Sequence, residues 1–338
     1  MTRSFRPTPE PMARLRVRRP SDFLAVVPYL LGFHPSESLV VVLSRHGRVV
    51  LTARLDLPPP PLVGAVLEQV LSLAEKHGID ELVLLAYGED GPGAREVLQR
   101  LLDGVPGSVV VREALLVSGD RWWSLSCRTG CCPAAGTPFD PTTHPLAAEA
   151  VYAGLAAESS RAVLERQVRG PEPPDVPRLQ EEVRQARGRA PLDRATAAAL
   201  MAETVRAVVR GTTDADEPTC ALLAVLALDL TVRDVAWALI SREAVDAHLR
   251  LWSTVVARSP DEVAAAPLGL LGVAGWISGN GALLNCCVER LERLDPDYTL
   301  GLLLSDISDR ALPPSLWDEM VDDLRHEVGA VAGDLRLH

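Results

Sequence analysis

Three cysteines crowd one stretch of the chain: Cys127, Cys131 and Cys132 in RWWSLSCRTGCCPAAGTP, residues 121–138, with His144 a short distance downstream. Zinc is held by four nitrogen or sulfur ligands in a tetrahedron, commonly as two close pairs from separate turns. This segment offers three thiolates and one imidazole, and Gly130 and Pro133 supply turn geometry. The C-x3-C-C spacing departs from paired C-x2-C units, however, and side chains of adjacent residues diverge. Three readings stand side by side: a zinc site on Cys127, Cys131, Cys132 and His144, a reactive thiol pair, or small apolar thiols packed under a turn. The last is the expectation carried forward. No cofactor is predicted, zinc being the alternative. Cys220, Cys286 and Cys287 read as core cysteines of helices.

Two further clusters bear chemistry. In AYGEDGPGAR, Glu89 and Asp90 leave the end of a strand and enter a helix, the place where open α/β sheets bind ligands. Free helix amides attract anions, but the two carboxylates repel a phosphate unless a cation intervenes. A solvated acidic loop is the simpler reading, a metal-bridged ligand the sharper one. In LGFHPSESLVVV, His34 precedes a proline near Ser36, Glu37 and Ser38, and Arg54 and Asp56 of TARLDLP share one strand face by alternation. The chain has no complete nucleophile–base pair.

Composition removes several classes of function. Lys76 is the only lysine and lies outside any glycine-rich phosphate motif, so neither a Walker A loop nor a pyridoxal Schiff base has its lysine. Gly-x-Ser-x-Gly and His-Glu-x-x-His are missing as well. A net charge of −11 argues against general affinity for nucleic acid or an anionic membrane. Arginine replaces lysine almost throughout, as a G+C-rich coding background produces, which weakens arginine clusters as evidence for phosphate. Six arginines ahead of FLAVVPYLLGF give a signal-peptide outline, but Pro28 breaks the short apolar run and no small-residue cleavage site follows. The expectation is a cytoplasmic protein with reduced thiols and no membrane span.

The elements that must position these residues follow from periodicity. RLRVR alternates as a short strand, and Ser21-Asp22 caps a helix over FLAVVPYLLGF. SLVVVLS and RVVLTARLDL are strands joined by the hairpin signal RHG. A helix, the buried strand DELVLLAYG, a second helix and the strand SVVVREALLVS complete a βαβ succession, which places the ends of strands 81–87 and 109–117 on one edge. The predicted organisation is a disordered arm over 1–13, a mixed α/β domain with a partly parallel sheet over 14–170, a proline- and charge-rich connector over 171–190, and an all-α domain over 191–330. Within the last, WISGNGALLNCCVERLERLDPDY resembles half of a tetratricopeptide-type helix pair.

The combination of PYLLGFHPSESLVVV, ARLDLP, RWWSLSCRTGCCPAAGTP, SR at 160–161 and AGWISGNGALLNCCVERLERLDPDYTLGLLL resembles the actinobacterial domain-of-unknown-function 4192 family, from about residue 14 to residue 317. The resemblance implies a cytoplasmic protein of G+C-rich actinomycetes and marks the Trp/Cys segment as a hallmark. It brings no activity, substrate or cofactor. The expectation is therefore a non-enzymatic protein that binds a small ligand or a protein partner at the strand-end edge. The candidate residues there are Trp122, Trp123, Ser124, Cys127, Arg54, Asp56, Glu89 and Asp90, with the helical domain as an interaction groove. The rival is a metal- or thiol-dependent hydrolase in which Cys127, Cys131, Cys132 and His144 are ligands or nucleophiles and Asp56 or Glu89 carries the proton.

Overall fold

A computed structural model of the chain describes residues 15–89, 91–127, 130, 132–152, 155, 157–310 and 312–332, the last six of these by backbone alone. The chain divides into two compact units, Met1–Ser160 and Arg161–His338. The first is α/β, and the described residues of the second form helices and turns.

The first unit opens on α1 (Pro20–Leu31), whose first turn is closed by Asp22: its Oδ2 accepts from the amides of Arg18 and Arg19 at 2.7 and 2.9 Å. Residues 15–18, expected as a strand, find no ladder partner and run as irregular chain into that cap. Gly32, in the left-handed region at φ 79°, ends the helix. Then come β1 (Ser38–Arg45) and β2 (Arg48–Asp56), an antiparallel hairpin turned by His46 and Gly47, both at positive φ as a tight twisted hairpin demands. α2 (Val63–His77), β3 (Glu81–Tyr87), α3 (Gly91–Gly104) and β4 (Val110–Ser118) form the βαβ unit, with β3 and β4 parallel. β5 (Arg121–Ser124) and the two-residue β6 (Thr137–Pro138) extend the sheet antiparallel, and α4 (Pro145–Tyr152) follows. The strand order is β2-β1-β3-β4-β5-β6.

Register makes this sheet informative. Asp56, Ser38, Tyr87, Val117, Trp122 and Thr137 are successive cross-strand partners, one row along a single edge. Cross-strand partners share a face. The neighbouring row, with Leu55, Leu39, Ala86, Leu116 and Trp123, therefore faces the other way, into a core made with Val70 and Ala74 of α2 and Val97, Leu98 and Leu101 of α3. Both faces are buried, as β1 shows: every residue from Leu39 to Leu43 is fully covered. Each such side chain contributes roughly 1.5–3 kcal/mol of burial, which explains runs of β-branched residues in place of strict alternation. α1 packs with α4 through Ala25, Val26 and Leu146, with Phe139 against them, and lies on the Tyr87 side of the sheet.

The second unit comprises α5 (Arg161–Val168), α6 (Val176–Arg189), α7 (Arg194–Val209), α8 (Glu217–Leu226), α9 (Leu230–Ala238), α10 (Val245–Ala257), α11 (Asp261–Ile277), α12 (Gly281–Leu294), α13 (Thr299–Asp309) and α14 (Trp317–Ala332). Aspartates 193, 216 and 229 and Asn280 cap α7, α8, α9 and α12 by accepting backbone amides. The segment expected as a connector over 171–190 is largely α6, because Leu179, Val183 and Ala186 form an apolar stripe at helical spacing and bury it. Likewise α5 belongs to the second unit, not to a first domain reaching residue 170: Leu164 and Val168 are buried, and Arg290 donates to the Val168 carbonyl. Trp317 stacks on Trp237 with centroids 6.1 Å apart and meets the edge of Trp276 at 6.5 Å. No helix among the described residues is long and apolar enough to cross a membrane.

Candidate functional site

Antiparallel pairing of β1 with β3 brings the start of β1 beside the end of β3, so the corner His34–Glu37 meets Tyr87–Glu89 at one sheet edge. Glu37 sits at φ 43°, a conformation few non-glycine residues adopt, and its Oε1 accepts the Glu89 amide at 2.6 Å. Strain of this kind persists only where surroundings impose it, and here the Glu37 carbonyl is also held by the Leu57 amide. From the other side Ser118 Oγ donates to the Glu89 carbonyl, and Gly88 N–H donates to Val117. The loop after β3 is therefore clamped between the corner and the β4–β5 turn.

Between these loops and α1 lies a cleft of about 280 Å³. Leu24 and Pro28 of α1, with Phe139, supply an apolar wall. Glu37, Glu89 and Asp120 also line it, Glu37 Oε1 holding the Glu89 amide and Asp120 Oδ1 lying 3.9 Å from Arg121 Nε. Arg121 also lines it, but its Nη1 donates to the carbonyls of Ala135 and Gly136 at 3.2 Å each. His34 lines the floor with its pKa lowered by burial, so its ring is neutral near pH 7. Tyr87 completes the floor. Its hydroxyl is buried without a hydrogen-bond partner, and that burial raises its pKa, keeping it a neutral phenol.

The family model for the domain of unknown function DUF4192 matches residues 20–315, spanning most of both units and the whole lining of this cleft. The chain belongs to this family. No curated protein and no solved structure matches it.

The Trp/Cys segment is divided by the sheet. Trp122 lies in the cleft-side row, its indole Nε1 buried and unpartnered, though it does not line the cleft. Trp123 faces the opposite core: its Nε1 donates to the Ala134 carbonyl at 3.1 Å, and the Arg95 guanidinium sits 6.0 Å from its ring. Gly136 is at φ 76°, and a Cβ there would lie 2.6 Å from the Trp123 indole. The Trp-to-Gly-Thr-Pro spacing thus encodes a turn closed onto its own tryptophan.

Because β5 runs antiparallel to β4, residues beyond Trp123 travel away from the cleft. Ser124 pairs opposite Leu115, and Ser124 Oγ and Ser126 Oγ approach Glu113 Oε2 at 3.4 and 3.2 Å. Ser126 Oγ also accepts the Ala114 amide, about 10 Å along the strand from the Val117 row. The expectation of one edge bearing Trp122, Trp123, Ser124 and Cys127 together is corrected by strand direction. Cys127 and Cys132, both half-buried, belong to the turn that follows, and Cys131 and Asp90 fall outside the described residues. His144 is engaged elsewhere: its Nε2 faces Asp22 Oδ1 at 3.4 Å and its Nδ1 accepts the Leu146 amide at 3.3 Å. Among the described residues, no group of three or more His, Cys, Asp or Glu is arranged to hold a metal ion.

Arg54 and Asp56 do share a face and pair at 2.6 Å, with Asp56 the exposed partner. Neither lines the cleft. Arg54 Nε instead donates to Ser38 Oγ at 2.9 Å, and Ser38 Oγ donates to the Ser36 carbonyl at 2.6 Å, so Arg54 braces the corner. Of the candidate residues, Glu89 reaches the cleft directly. Tyr87, Asp120 and Phe139 were not singled out from sequence. Tyr87 carried a readable signal, as the last residue of a buried strand before a glycine.

Proposed function

We propose that the first unit is a ligand-binding module and that the strand-end cleft takes a small organic cation, such as an amine. The observation that carries this reading is the buried, unpartnered hydroxyl of Tyr87, a residue that lines the cleft together with Glu37, Glu89 and Asp120. A buried polar group without a partner forfeits its solvation, and a ligand that hydrogen-bonds to it recovers that loss. Further support comes from position, since open α/β sheets bind ligands outside the carboxyl ends of parallel strands. The lining favours positive charge, because its three acidic residues outnumber Arg121, which is shared between Asp120 and the carbonyls of Ala135 and Gly136, and His34 is neutral. Leu24, Pro28 and Phe139 suit an apolar or aromatic-stacking body, and a cation over Phe139 gains from the ring face.

A hydrolase built on the cysteine segment draws less support. It needs His144 as ligand or base, and both imidazole nitrogens already face Asp22 and Leu146. Thermal-shift and calorimetric screening with small primary and quaternary amines, against matched carboxylates, tests the proposal. Amines are expected to raise the melting temperature, and Tyr87→Phe or Glu37→Gln should weaken binding about tenfold, or roughly 1.4 kcal/mol. Equal protection by amines and carboxylates, or none by either, overturns it.

A further inference from the structure

Two helix starts in the first unit are tied to each other through one histidine. His144 is extended (φ −78°, ψ 134°) and stands immediately before Pro145, the first residue of α4. Its Nδ1 accepts the Leu146 amide at 3.3 Å, so it caps α4 as an asparagine or serine would. An acceptor nitrogen carries no proton, which places the ring proton of the neutral imidazole on Nε2. Nε2 faces Asp22 Oδ1 at 3.4 Å, and the other Asp22 oxygen holds the Arg18 and Arg19 amides at the start of α1. The imidazole and the carboxylate are 18% and 12% exposed. This clasp stands behind the wall of the strand-end cleft. Phe139, which lines the cleft, has its ring 6.1 Å from the imidazole and packs with Leu146 against Ala25 and Val26 of α1. Leu24 and Pro28 of the same helix line the cleft as well. The Phe139 amide donates to the carbonyl of Asp120, another lining residue, at 2.8 Å.

A cap made by imidazole differs from one made by asparagine in a single respect: it works only while Nδ1 is unprotonated. A proton there removes the acceptor, strands the Leu146 amide and sets positive charge at the start of a helix, the end that repels it. The imidazolium gains only toward Asp22. We propose that His144 is a positioning residue that acts as a pH-sensitive clasp on the cleft wall. Neutral, it holds α4 and Phe139 against α1; protonated, it releases the start of α4 and the apolar wall loosens. Cation binding then weakens in mild acid, a consequence that rests on the reading of the cleft as a cation site. Asp22 is the charged group of α1 that faces the ring. On the segment of His144 itself, Asp140 is held by Thr142 and Glu149 is exposed, as are the side chains of Arg18 and Arg19.

Histidine is the side chain that ordinarily changes charge near neutrality, so the full chain at about pH 7.5 and about pH 5.5 brackets the event. In NMR of the free protein, the Leu146 amide should move as the His144 ring nitrogens titrate, with the Phe139 amide on the same curve. Benzyltrimethylammonium keeps its charge across this range. By calorimetry it should bind about fivefold more weakly at the lower pH. His144→Asn supplies a cap acceptor that does not titrate. It should fix the Leu146 amide at both pH values and bring the affinity ratio to about twofold or less, the remainder belonging to His34, Glu37, Glu89 and Asp120 of the lining. A ring that does not titrate over this range, or a Leu146 amide that stays fixed while it does, overturns the clasp. An affinity ratio that survives His144→Asn overturns it as well. If the Leu146 and Phe139 signals follow His144 but the probe binds at neither pH, the clasp stands and the cation reading of the cleft falls.

Discussion

At the scale of single residues, the Trp/Cys segment is explained by contact with its own chain. Gly136 must be glycine twice over: its φ of 76° disfavours any side chain, and the Trp123 ring occupies the space a Cβ would need. Gly136→Ala is therefore expected to destabilise the protein by about 1–3 kcal/mol, measured by urea unfolding. A ligand-binding tryptophan would tolerate that change, so a loss below about 0.5 kcal/mol would return Trp123 to the list of recognition residues. The chemistry-bearing types in the segment were visible in sequence. The sheet face and strand end that Trp122, Trp123 and Ser124 take were not, because these depend on the direction of the strand they ride on. Tyr87 illustrates the reverse case: an ordinary strand residue becomes the centre of a cleft through the loops that gather above it.

At the scale of elements, local pattern was a sound guide wherever burial followed a period. The two strands of the first hairpin, the βαβ unit and the helices of the second unit were legible from apolar runs, spacing, caps and glycines. RLRVR misled, since alternation without a strand to pair with makes no ladder. The stretch over 171–190 misled in the other direction, its prolines and charges masking the Leu179, Val183 and Ala186 stripe. α5 gives a measurable consequence. Residues 161–338 should be more stable than residues 171–338 by about 3 kcal/mol or more, from burial of Leu164 and Val168 and loss of the carbonyl that accepts from buried Arg290. Chemical denaturation of the two fragments, followed by circular dichroism, makes the comparison. Equal midpoints would show that α5 contributes nothing to the second unit.

At the scale of the whole molecule, stability should fall on both sides of neutrality. His248 takes up a proton near pH 6.5 when unfolded and only near pH 4 when folded, so the unfolded state binds more protons between those values. Stability then declines as pH drops through that window, by roughly 3 kcal/mol in all. Asp193 and Asp216, whose carboxyls are lowered first by the side chains of Thr196 and Thr219 and then by the amides of those residues, and Asp229, lowered against its own desolvation by Arg194 and the amides it caps, extend the loss to lower pH. Above the ordinary tyrosine range, raised Tyr87 opposes folding as the unfolded phenol ionises. Urea midpoints recorded from pH 7 to pH 4 check the acid limb, and His248→Phe should flatten it; an unchanged slope in that variant would place the titration elsewhere.

What the sequence by itself determined was local: element type, the α/β and all-α halves, the absence of a phosphate-binding lysine, and family resemblance. Each depends on residues close along the chain, through side-chain period, backbone preference and capping. Tertiary structure alone decided which elements share an edge and in which direction they run. β1 antiparallel to β3 delivers His34 and Glu37 to Tyr87 and Glu89, while β5 antiparallel to β4 carries Ser124 and Cys127 away from them. Strand order and direction are set by contacts between distant segments, and a functional edge is a property of that arrangement, not of any one stretch within it.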